Sequence, residues 1–380
     1  MNGAILTGKQ RSTVANIQAL RGIAALLVIW AHLGQVILKL CPDKFHSILV
    51  TPMGAIGVDI FFVISGYVIC LSAARSHQRA PDFIAARFVR VVPLYLLVTL
   101  VAMLPLFNLR THRFLFSPLN FDSIWNGFFY LPVFDRAGYT LPPQSVGWTL
   151  SFEMWFYLAF ALLLNFFNPR RTALVLPVIF AVGALVLMPY HGPFFLVRYL
   201  FHPFVLNFCL GCIIYHLQHH FDRPLTFCLL ALAVLYFFTF SLPFRAVGVV
   251  HDELGSHFDL AWLRIACWGV FAALLVAALV GLEQNRLFLL PKVLVWCGEI
   301  SYSLYLVHPF ALWQVERLGL HLGLRSPFLI SAAVFTLALF FGWLCHAYVE
   351  RPVTDRVREL WKSLTAPRPE TTSTLQPSLV

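Results

Sequence analysis

Apolar stretches of about 20 residues recur along the whole chain. Each carries few charges and is long enough to cross a hydrocarbon core of about 30 Å as a helix. We expect about ten such spans, so the pattern predicts an all-α fold, a polytopic transmembrane helix bundle. The predicted spans are 17–38, 53–72, 88–108, 148–168, 172–190, 198–217, 226–243, 260–281, 294–315 and 326–349.

The charges outside these spans predict how the chain lies in the membrane. An even number of spans places both termini on one side, and Lys and Arg are more frequent in the loops of that side. Because basic loops stay in the cytoplasm, we expect both termini to be cytoplasmic. The chain then divides into a cytosolic segment (1–16), a transmembrane domain (17–350) and a cytosolic tail (351–380) that is charged and then disordered. The stretch "FDSIWNGFFYLPVF", within residues 109–147, is too short to span twice and is interpreted as an interfacial or re-entrant piece.

Composition narrows the function classes. With 59% hydrophobic and 12% charged residues, the chain is far from an ordinary soluble domain, of which about 25% is charged. The net charge of +10 would suggest nucleic acid in a soluble protein. In a membrane protein, orientation and anionic lipids explain it, so we expect membrane lipids as partners and no nucleic acid.

The eight cysteines lie mostly inside the spans and predict no disulfide framework. Four Cys and His residues follow helical spacing and raise the alternative of a metal site. Cysteines in a membrane helix and histidines at its end need no ion, so we expect no metal. The four residues are Cys209, Cys212, His216 and His220.

Two polar residues interrupt the first span. Arg21 and His32 stand in "LRGIAALLVIWAHL", and charged groups within a bilayer usually face a cavity or each other. They are eleven residues apart, which at about 100° per residue places both on one helix face, about 16 Å apart along the axis. One extended ligand could therefore contact both.

Three further ionisable residues fall near the depth of His32 when depth is counted from the end of each span. They are Asp59 on the second span, Glu153 on the fourth and His308 on the ninth. Asp59 and His32 could pair across neighbouring helices, and the shared depth of the four groups favours a functional site. Two alternatives stay open: His308 precedes Pro309 and could only satisfy a kinked backbone, and Glu153 could lie at the membrane interface.

A basic pair begins the third span. Arg87 and Arg90 lie three residues apart on one helix face in "ARFVRVVPLYL", and with Arg21 they would form a cationic entrance suited to phosphates. Basic residues also accumulate at cytosolic helix ends for topological reasons alone. Arg21, inside its span and in line with His32, favours a ligand. The Ser65 hydroxyl in "FFVISGY" could contact the same ligand, although close helix packing is the commoner role of small residues there.

These stretches, in this order, resemble the acyltransferase-3 family of integral-membrane O-acyltransferases, in the form without a fused esterase-like domain. The resemblance runs from residue 17 to about residue 353, and its motifs are "LRGIAALLVIWAHL", "GVDIFFVISGY", "RFVRVVPLY", "WTLSFEMWFYL", "GEISYSLYLVHPF" and "VERPV". It implies an enzyme of the plasma (bacterial inner) membrane that takes an acyl group, usually acetyl, from cytosolic acyl-CoA. The acceptor would be a hydroxyl of a glycan or of a lipid-linked molecule. The resemblance also implies that Arg21 and His32 are the essential pair, accompanied by Arg87 and Arg90.

Geometry and resemblance together predict a mechanism. The three arginines are expected to bind the donor phosphates. His32 is expected to act as general base on the acceptor hydroxyl, with Asp59 or Glu153 orienting its ring. Direct transfer is the simpler chemistry, and an acyl-His or acyl-Ser intermediate is the alternative. The candidates for contact with the substrate are Ser65, Trp148, Tyr302 and His308.

Two rival functions use the same residues. A proton-coupled transporter of a sugar or an organic anion would also place His, Asp and Glu inside the membrane. Transporters often show an internal repeat with broken helices in corresponding positions, and the two halves of this chain do not resemble each other. A purely structural partner of a glycan-assembly complex would leave the buried charges without a purpose. The enzyme is therefore the prediction.

Overall fold

The computed structural model describes residues 15–43, 51–76, 79–103, 133–135, 138–140, 144–187, 195–244 and 258–365. Within these ranges the protein is a bundle of α-helices, which confirms the predicted fold class. The helices are α1 (Ala15–Leu40), α2 (Ile56–Ser76), α3 (Ala80–Met103), α4 (Trp148–Leu164), α5 (Pro169–Leu187), α6 (Phe195–Leu200), α7 (Val205–Leu217), α8 (Arg223–Tyr236), α9 (Leu242–Phe244), α10 (Phe258–Arg264), α11 (Val270–Gln284), α12 (Lys292–Glu299), α13 (Ser301–Leu322), α14 (Pro327–Cys345) and α15 (Arg351–Thr365). Two short strands, β1 (Val133–Asp135) and β2 (Gly138–Thr140), form an antiparallel hairpin in which Phe134 pairs with Tyr139.

Three helices are interrupted or extended by π-helical turns. These turns cover Phe237–Ser241 after α8, Ile265–Gly269 between α10 and α11, and His346–Glu350 between α14 and α15. Single π-helical turns inside α-helices frequently occur at functional sites. The second turn directly follows a buried arginine, and the third ends at a glutamate; both residues reappear below.

Among the described residues, seven helices are long and apolar enough to cross a membrane. They are Ala15–Leu40, Met53–Arg75, Ala80–Ala102, Pro169–Leu187, Arg223–Phe244, Leu260–Gln284 and Pro327–Trp361. The other three predicted spans are also helical, but α4 is shorter, the sixth span is divided into α6 and α7, and the ninth is divided at Ile300 into α12 and α13. The protein is thus a polytopic membrane protein. The number of crossings and the cytoplasmic placement of the termini stay predictions.

Some expectations concern residues that are not described. Segment 1–16 lies outside the described residues except for its last two positions, and "FDSIWNGFFYLPVF" lies outside them except for Val133 and Phe134 of β1. The charged half of the tail is helical, as α15, and residues 366–380 again lie outside the described ranges.

Local sequence signals explain where several helices begin and end. Asp222 caps α8, since its carboxylate accepts a backbone N–H of the first turn at 2.9 Å, and Pro224 follows where no N–H is required. Ser326 and Pro327 start α14 in the same way. Gly323, with a φ of 64°, ends α13 in the left-handed conformation that glycine adopts without steric cost.

Helix α1 carries two candidate site residues and is held by the C-terminal half of the chain. Glu283, near the end of α11, accepts the backbone N–H of Ala15 at 3.0 Å and of Asn16 at 2.7 Å. These donors belong to the first turn of α1, which has no partners of its own and favours a negative charge. Gly22 lets α12 approach closely, because a Cβ there would lie 2.6 Å from the carbonyl oxygen of Leu294. The position of α1 is therefore fixed by α11 and α12.

Stacked aromatic rings fix α2 and α4 beside α7. The ring of Phe208 on α7 lies 4.4 Å from that of Phe62 on α2 and 4.7 Å from that of Phe156 on α4. This packing sets the rotation of α2 and α4. It places Ser65 and Glu153, which these two helices carry, against the same cavity.

Candidate active site

A cleft lies between α1, α2, α3, α4 and α13. The empty volume between its lining atoms is about 790 Å³, including open space at its mouth. Its polar lining residues are Arg21, Ser65, Arg87, Arg90, Thr149, Glu153, Tyr157, Ser301, Tyr302 and Tyr305. Six of these were predicted site residues, and they come from five separate stretches of sequence. We name this cavity the arginine cleft.

The cleft brings three arginines together. Among the described residues, none accepts a hydrogen bond from Arg21, Arg87 or Arg90 or forms a salt bridge with them. The Nε of Arg87 is buried without a partner, and its guanidinium lies over the rings of Phe83 and Tyr157, 5.5 and 6.0 Å from their centroids. Guanidinium groups in this state are suited to bind a phosphate or a carboxylate.

Glu153 is the acidic residue of the arginine cleft. Its carboxylate accepts hydrogen bonds from the Ser65 hydroxyl at 2.7 Å and from the Tyr157 hydroxyl. It lines the same cavity as Arg21 and Arg87. Glu153 therefore lies among the cleft arginines rather than at the depth of His32, where it was expected. Its position relative to the membrane interface stays a prediction.

The start of α4 explains this difference in depth. Gln144, four residues before α4, is fully buried, and its Nε2 donates to the carbonyl oxygen of Leu306 at 2.6 Å. Leu306 stands two residues before His308, so the chain is already at the depth of His308 before the helix begins. The predicted depth of Glu153 was counted from the membrane boundary as if the helix began there. Because α4 begins deeper in the bundle, Glu153 lies farther from His32 than predicted.

His32 and His308 lie in contact, as their shared depth predicts. Their ring centroids are 5.1 Å apart. His308 is fully buried, whereas His32 is half-buried. Tyr305, which lines the arginine cleft, has its ring centroid 5.9 Å from that of His308. We name the pair of His32 and His308 the histidine layer. It adjoins the arginine cleft at Tyr305.

Asp59 has a different partner from the expected one. Its Oδ2 accepts from Nη2 of Arg264 at 2.9 Å and from Nε at 3.1 Å, and its Oδ1 accepts from Nδ2 of Asn207 at 2.8 Å. The side chains of Asp59 and Arg264 are only 1% and 2% exposed. The predicted pairing of Asp59 with His32 is wrong, because the carboxylate is directed to α7 and α10 rather than to α1.

Trp148 also lies outside the arginine cleft. Its ring packs against those of Phe62, Phe152 and Phe204 at centroid distances of 6.4, 6.1 and 5.8 Å. These contacts belong to the aromatic packing around α2, α4 and α7. Contact between Trp148 and the substrate stays a prediction that this packing does not favour.

Three functional candidates escaped the sequence reasoning. Tyr157 follows Glu153 by four residues, on the same helix face. Arg264 stands inside the predicted span 260–281, where the cost of a charge in a membrane should have singled it out. Glu350, in "VERPV", accepts from the Ser303 hydroxyl at 2.6 Å and pairs with Nδ1 of His346 at 2.8 Å.

Comparison with known proteins identifies the family. Residues 14–347 match the family described as "Acyltransferase domain", Acyl_transf_3. The matched range contains every residue of the arginine cleft and of the histidine layer. No solved structure gives a significant match.

Three bacterial proteins of known description are similar to this chain. The chain is 33% identical over 314 residues to "Exopolysaccharide production protein ExoZ" of Rhizobium meliloti (strain 1021), covering 80% of this chain and 91% of that one. It is 29% identical over 396 residues to "Acyltransferase MdmB" of Streptomyces mycarofaciens, covering 94% and 95%. It is 31% identical over 196 residues to "Peptidoglycan O-acetyltransferase OatA" of Listeria monocytogenes serovar 1/2a, covering 47% of this chain and 29% of that one.

The family match over most of the chain favours the enzyme over the transporter. Together with the apolar helices and the cleft, it leads to one conclusion: the chain belongs to the acyltransferase-3 family and is an integral-membrane O-acyltransferase.

Proposed function

We propose that this enzyme transfers an acyl group, in the simplest case acetyl, from acyl-CoA to a hydroxyl of a cell-surface or exported glycan. The observation that carries the proposal is the arginine cleft, in which three guanidinium groups have no hydrogen-bonding partner among the described residues. A buried cation without a partner is costly. An anionic ligand that enters the cleft would remove this cost.

The donor fits the cleft by charge and by shape. Coenzyme A carries phosphate groups at one end and a thin pantetheine arm that ends in the thioester. The phosphates would bind Arg21, Arg87 and Arg90, which offer the fork of N–H donors that matches phosphate oxygens. The arm would run along α1, where the distance from Arg21 to His32 is about 16 Å. Tyr302 and Tyr305 line this route.

His32 would act as the general base. Its Nδ1 lies 2.9 Å from the carbonyl oxygen of Val28, and a carbonyl can only accept, so Nδ1 carries the hydrogen and Nε2 keeps a lone pair. Nε2 takes the proton of the acceptor hydroxyl while the oxygen attacks the thioester carbon. The carbon–sulfur bond breaks, and the proton passes from His32 to the sulfur of the leaving thiolate. The products are an O-acyl ester and free coenzyme A.

The carboxylates would have roles other than those first expected. Glu153, among the arginines, would balance their charge and hold Ser65 and Tyr157 by hydrogen bonds. Asp59 would hold Arg264 and so stabilise the packing of α2 against α7 and α10. Neither carboxylate would orient His32.

The names of two relatives support a glycan acceptor. One is described as an exopolysaccharide production protein and another as a peptidoglycan O-acetyltransferase. A glycan or its lipid-linked precursor would reach the histidine layer from the side opposite the donor. With the arginine cleft toward the cytosol, where acyl-CoA is found, the enzyme would lie in the plasma (bacterial inner) membrane.

Mass spectrometry of cell-surface glycans tests this proposal. Cells lacking the protein are compared with cells that express the wild type, His32→Ala, or His321→Ala, which changes an exposed histidine near the end of α13. We expect a mass increment with the wild type and with His321→Ala that isotope-labelled acetate shifts, and none with His32→Ala. The same membranes, supplied with radiolabelled acetyl-CoA, should transfer label to glycan. Identical glycan profiles in all four strains, with each protein present in the membrane, would contradict the proposal.

A further inference from the structure

His308 combines two features that a purely structural histidine does not need together. It is fully buried on α13, and its Nδ1 lies 2.7 Å from the carbonyl oxygen of Tyr305. Pro309 has no N–H, so the Tyr305 carbonyl lacks the donor that an α-helix supplies from that position. Because the carbonyl can only accept, Nδ1 of His308 carries the hydrogen and Nε2 keeps a lone pair. Nδ1 thus replaces the backbone donor that Pro309 lacks, and Nε2 is left to accept a hydrogen bond from another group.

His32 is arranged in the same way on α1. Its Nδ1 is engaged by the carbonyl oxygen of Val28, so its Nε2 also keeps the lone pair. The two rings meet edge to face, with centroids 5.1 Å apart and planes at 61°. Nε2 of His308 is buried and has no hydrogen-bond partner in the part of the chain that the structure describes. In their neutral forms the two touching rings therefore each have a lone pair on Nε2.

The two carboxylates expected beside His32 are engaged elsewhere. Asp59 accepts from Arg264 and Asn207, and Glu153 accepts from Ser65 in the arginine cleft. A general base gains a positive charge when it takes a proton, and a neighbouring acceptor stabilises that charge. The group that the structure holds against the ring of His32 is His308.

We infer that His308 is a positioning residue whose Nε2 accepts a hydrogen bond from the protonated His32 and so shares the transferred proton. The inference rests on the proposed function. A pair of histidines would then take the place that a histidine and a carboxylate hold in many transferases and hydrolases.

The proton balance is complete without a further reactant. Nε2 of His32 removes the proton of the acceptor hydroxyl as its oxygen attacks the thioester carbon. In the imidazolium that forms, the N–H at Nε2 is shared with the lone pair on Nε2 of His308. When the carbon–sulfur bond breaks, His32 delivers the same proton to the thiolate sulfur. Both histidines return to their starting tautomers.

This arrangement also decides against a role of His308 as an oxyanion donor in the resting enzyme. A donor to the developing oxyanion needs an N–H directed at it. The one N–H of neutral His308 is held by the Tyr305 carbonyl. The predicted contact of His308 with the substrate is replaced by a contact with His32.

Two substitutions separate the functions of the two ring nitrogens. In His308→Asn the amide N–H₂ can still donate to the Tyr305 carbonyl, near the position of Nδ1, but nothing replaces Nε2. In His308→Gln the longer amide can place its oxygen near Nε2 as an acceptor, but the donor to Tyr305 is lost. Each variant therefore retains one half of the histidine.

The measurement is acyl transfer from radiolabelled acetyl-CoA to glycan in membranes containing the full chain, with kcat and KM for the donor determined separately. We expect His308→Asn to lower kcat at least 10-fold with KM within about 2-fold of wild type, since general acid–base catalysis contributes about 10²–10⁴-fold. We expect His308→Gln to keep more than a third of the wild-type kcat. If His308→Asn turns over like the wild type, or if His308→Gln loses as much kcat as His308→Asn, the inference is wrong.

The same substitution is also tested in a Pro309→Ala variant, so that a loss of activity through misfolding can be recognised. Pro309→Ala restores a backbone N–H to the Tyr305 carbonyl, so the helix no longer depends on the side chain at 308. In this background His308→Asn should still lower kcat at least 10-fold; an unchanged kcat would overturn the inference. Wild type and His32→Ala are measured beside these variants. Equal transfer by those two would overturn the proposed function itself, whereas an active wild type with a fully active His308→Asn overturns the inference alone.

Discussion

Arg264 and the three arginines of the cleft lie in the same helix bundle and have opposite surroundings. Arg264 donates twice to Asp59 and once to the carbonyl oxygen of Ala55, and its guanidinium lies 5.0 and 5.1 Å from the ring centroids of Phe204 and Trp268. In the cleft, Arg87 lies over the rings of Phe83 and Tyr157, and Glu153 lines the same cavity as the three arginines. No described residue accepts a hydrogen bond from these arginines, of which Arg87 is buried and the other two are partly exposed. Arg264 is thus paired within the protein, whereas the cleft arginines have no hydrogen-bond acceptor in the described part of the chain.

The difference separates stability from function. A saturated ion pair inside a bundle stabilises the folded protein only as a unit, since removing one partner leaves the other charge buried alone. A cation without such a partner gains no stability from an ion pair, and in the proposed function it is retained because the donor phosphates bind it. A charged side chain inside a membrane protein therefore indicates a ligand site only when the protein itself offers it no ion-pair or hydrogen-bond partner.

Arg264→Ala should have the largest effect, and that effect should be on stability. The substitution leaves Asp59 buried without its cation, and breaking a buried pair in this way costs about 3–5 kcal/mol. We expect little folded protein after extraction in detergent and a lower Tm, measured by the fluorescence of a fused reporter in size-exclusion chromatography.

An exposed ion pair is the matched control for this variant. Lys39 and Glu316 lie 2.8 Å apart with side chains 58% and 26% exposed, and such pairs contribute below about 1 kcal/mol. Lys39→Ala should therefore leave Tm almost unchanged. An Arg264→Ala protein as stable as Lys39→Ala would remove the contrast between the two kinds of buried arginine.

Arg87→Ala should have the second-largest effect, and it should be on donor binding. A hydrogen bond to a charged group contributes about 1.5–3 kcal/mol, so we expect the KM for acetyl-CoA to rise about 10- to 100-fold. Tm should change little, because the removal of a buried charge without a hydrogen-bond acceptor among the described residues offsets the loss of its contacts with the rings of Phe83 and Tyr157. Arg171→Ala, an exposed arginine on α5, is the control and should change neither quantity. If Arg87→Ala lowers Tm as much as Arg264→Ala does and leaves KM unchanged, Arg87 stabilises the fold and does not bind the donor.

Glu153→Gln should have the smallest effect and should sharpen the comparison. Glutamine still offers an oxygen to the hydroxyls of Ser65 and Tyr157, while the negative charge that opposes the donor phosphates is lost. At an effective dielectric constant of about 20, a unit charge about 4–8 Å from the phosphates changes the binding energy by about 2–4 kcal/mol, and the loss of the same charge beside the arginines offsets part of this change. We expect the KM for acetyl-CoA to fall about 3- to 10-fold with kcat changed little. A large loss of kcat would instead return Glu153 to the catalytic role that the sequence suggested.

The sequence predicted the helices better than it predicted the depth of their polar residues in the bundle. Apolar length and low charge are local properties, so each of the ten predicted spans corresponds to a helix or to a divided helix. Arg21 and His32 share one helix, and their face and spacing follow from helix geometry alone. His308 was placed correctly at the level of His32, since the two rings lie in contact, although the predicted span is divided at Ile300.

The errors arise where the position of one helix depends on other helices. Glu153 was assigned the wrong depth because α4 begins inside the bundle, at a turn held by Gln144. Asp59 was assigned the wrong partner because the rotation of α2 is set by aromatic packing on Phe208, which no periodicity of α2 reveals. The roles of these residues need the tertiary structure, since a buried charge has the same appearance in sequence whether it is paired or not.

The hydrogen bonds of Glu283 to the start of α1 have a consequence for biosynthesis. Ala15 and Asn16 leave the ribosome more than 260 residues before the glutamate that caps them, and Arg21 enters the bilayer with none of its final neighbours yet made. The first helix therefore cannot form these hydrogen bonds with α11 until most of the chain has been translated. His32 meets His308 only at that last stage, so an incomplete chain released early would be a membrane protein without a working catalytic centre.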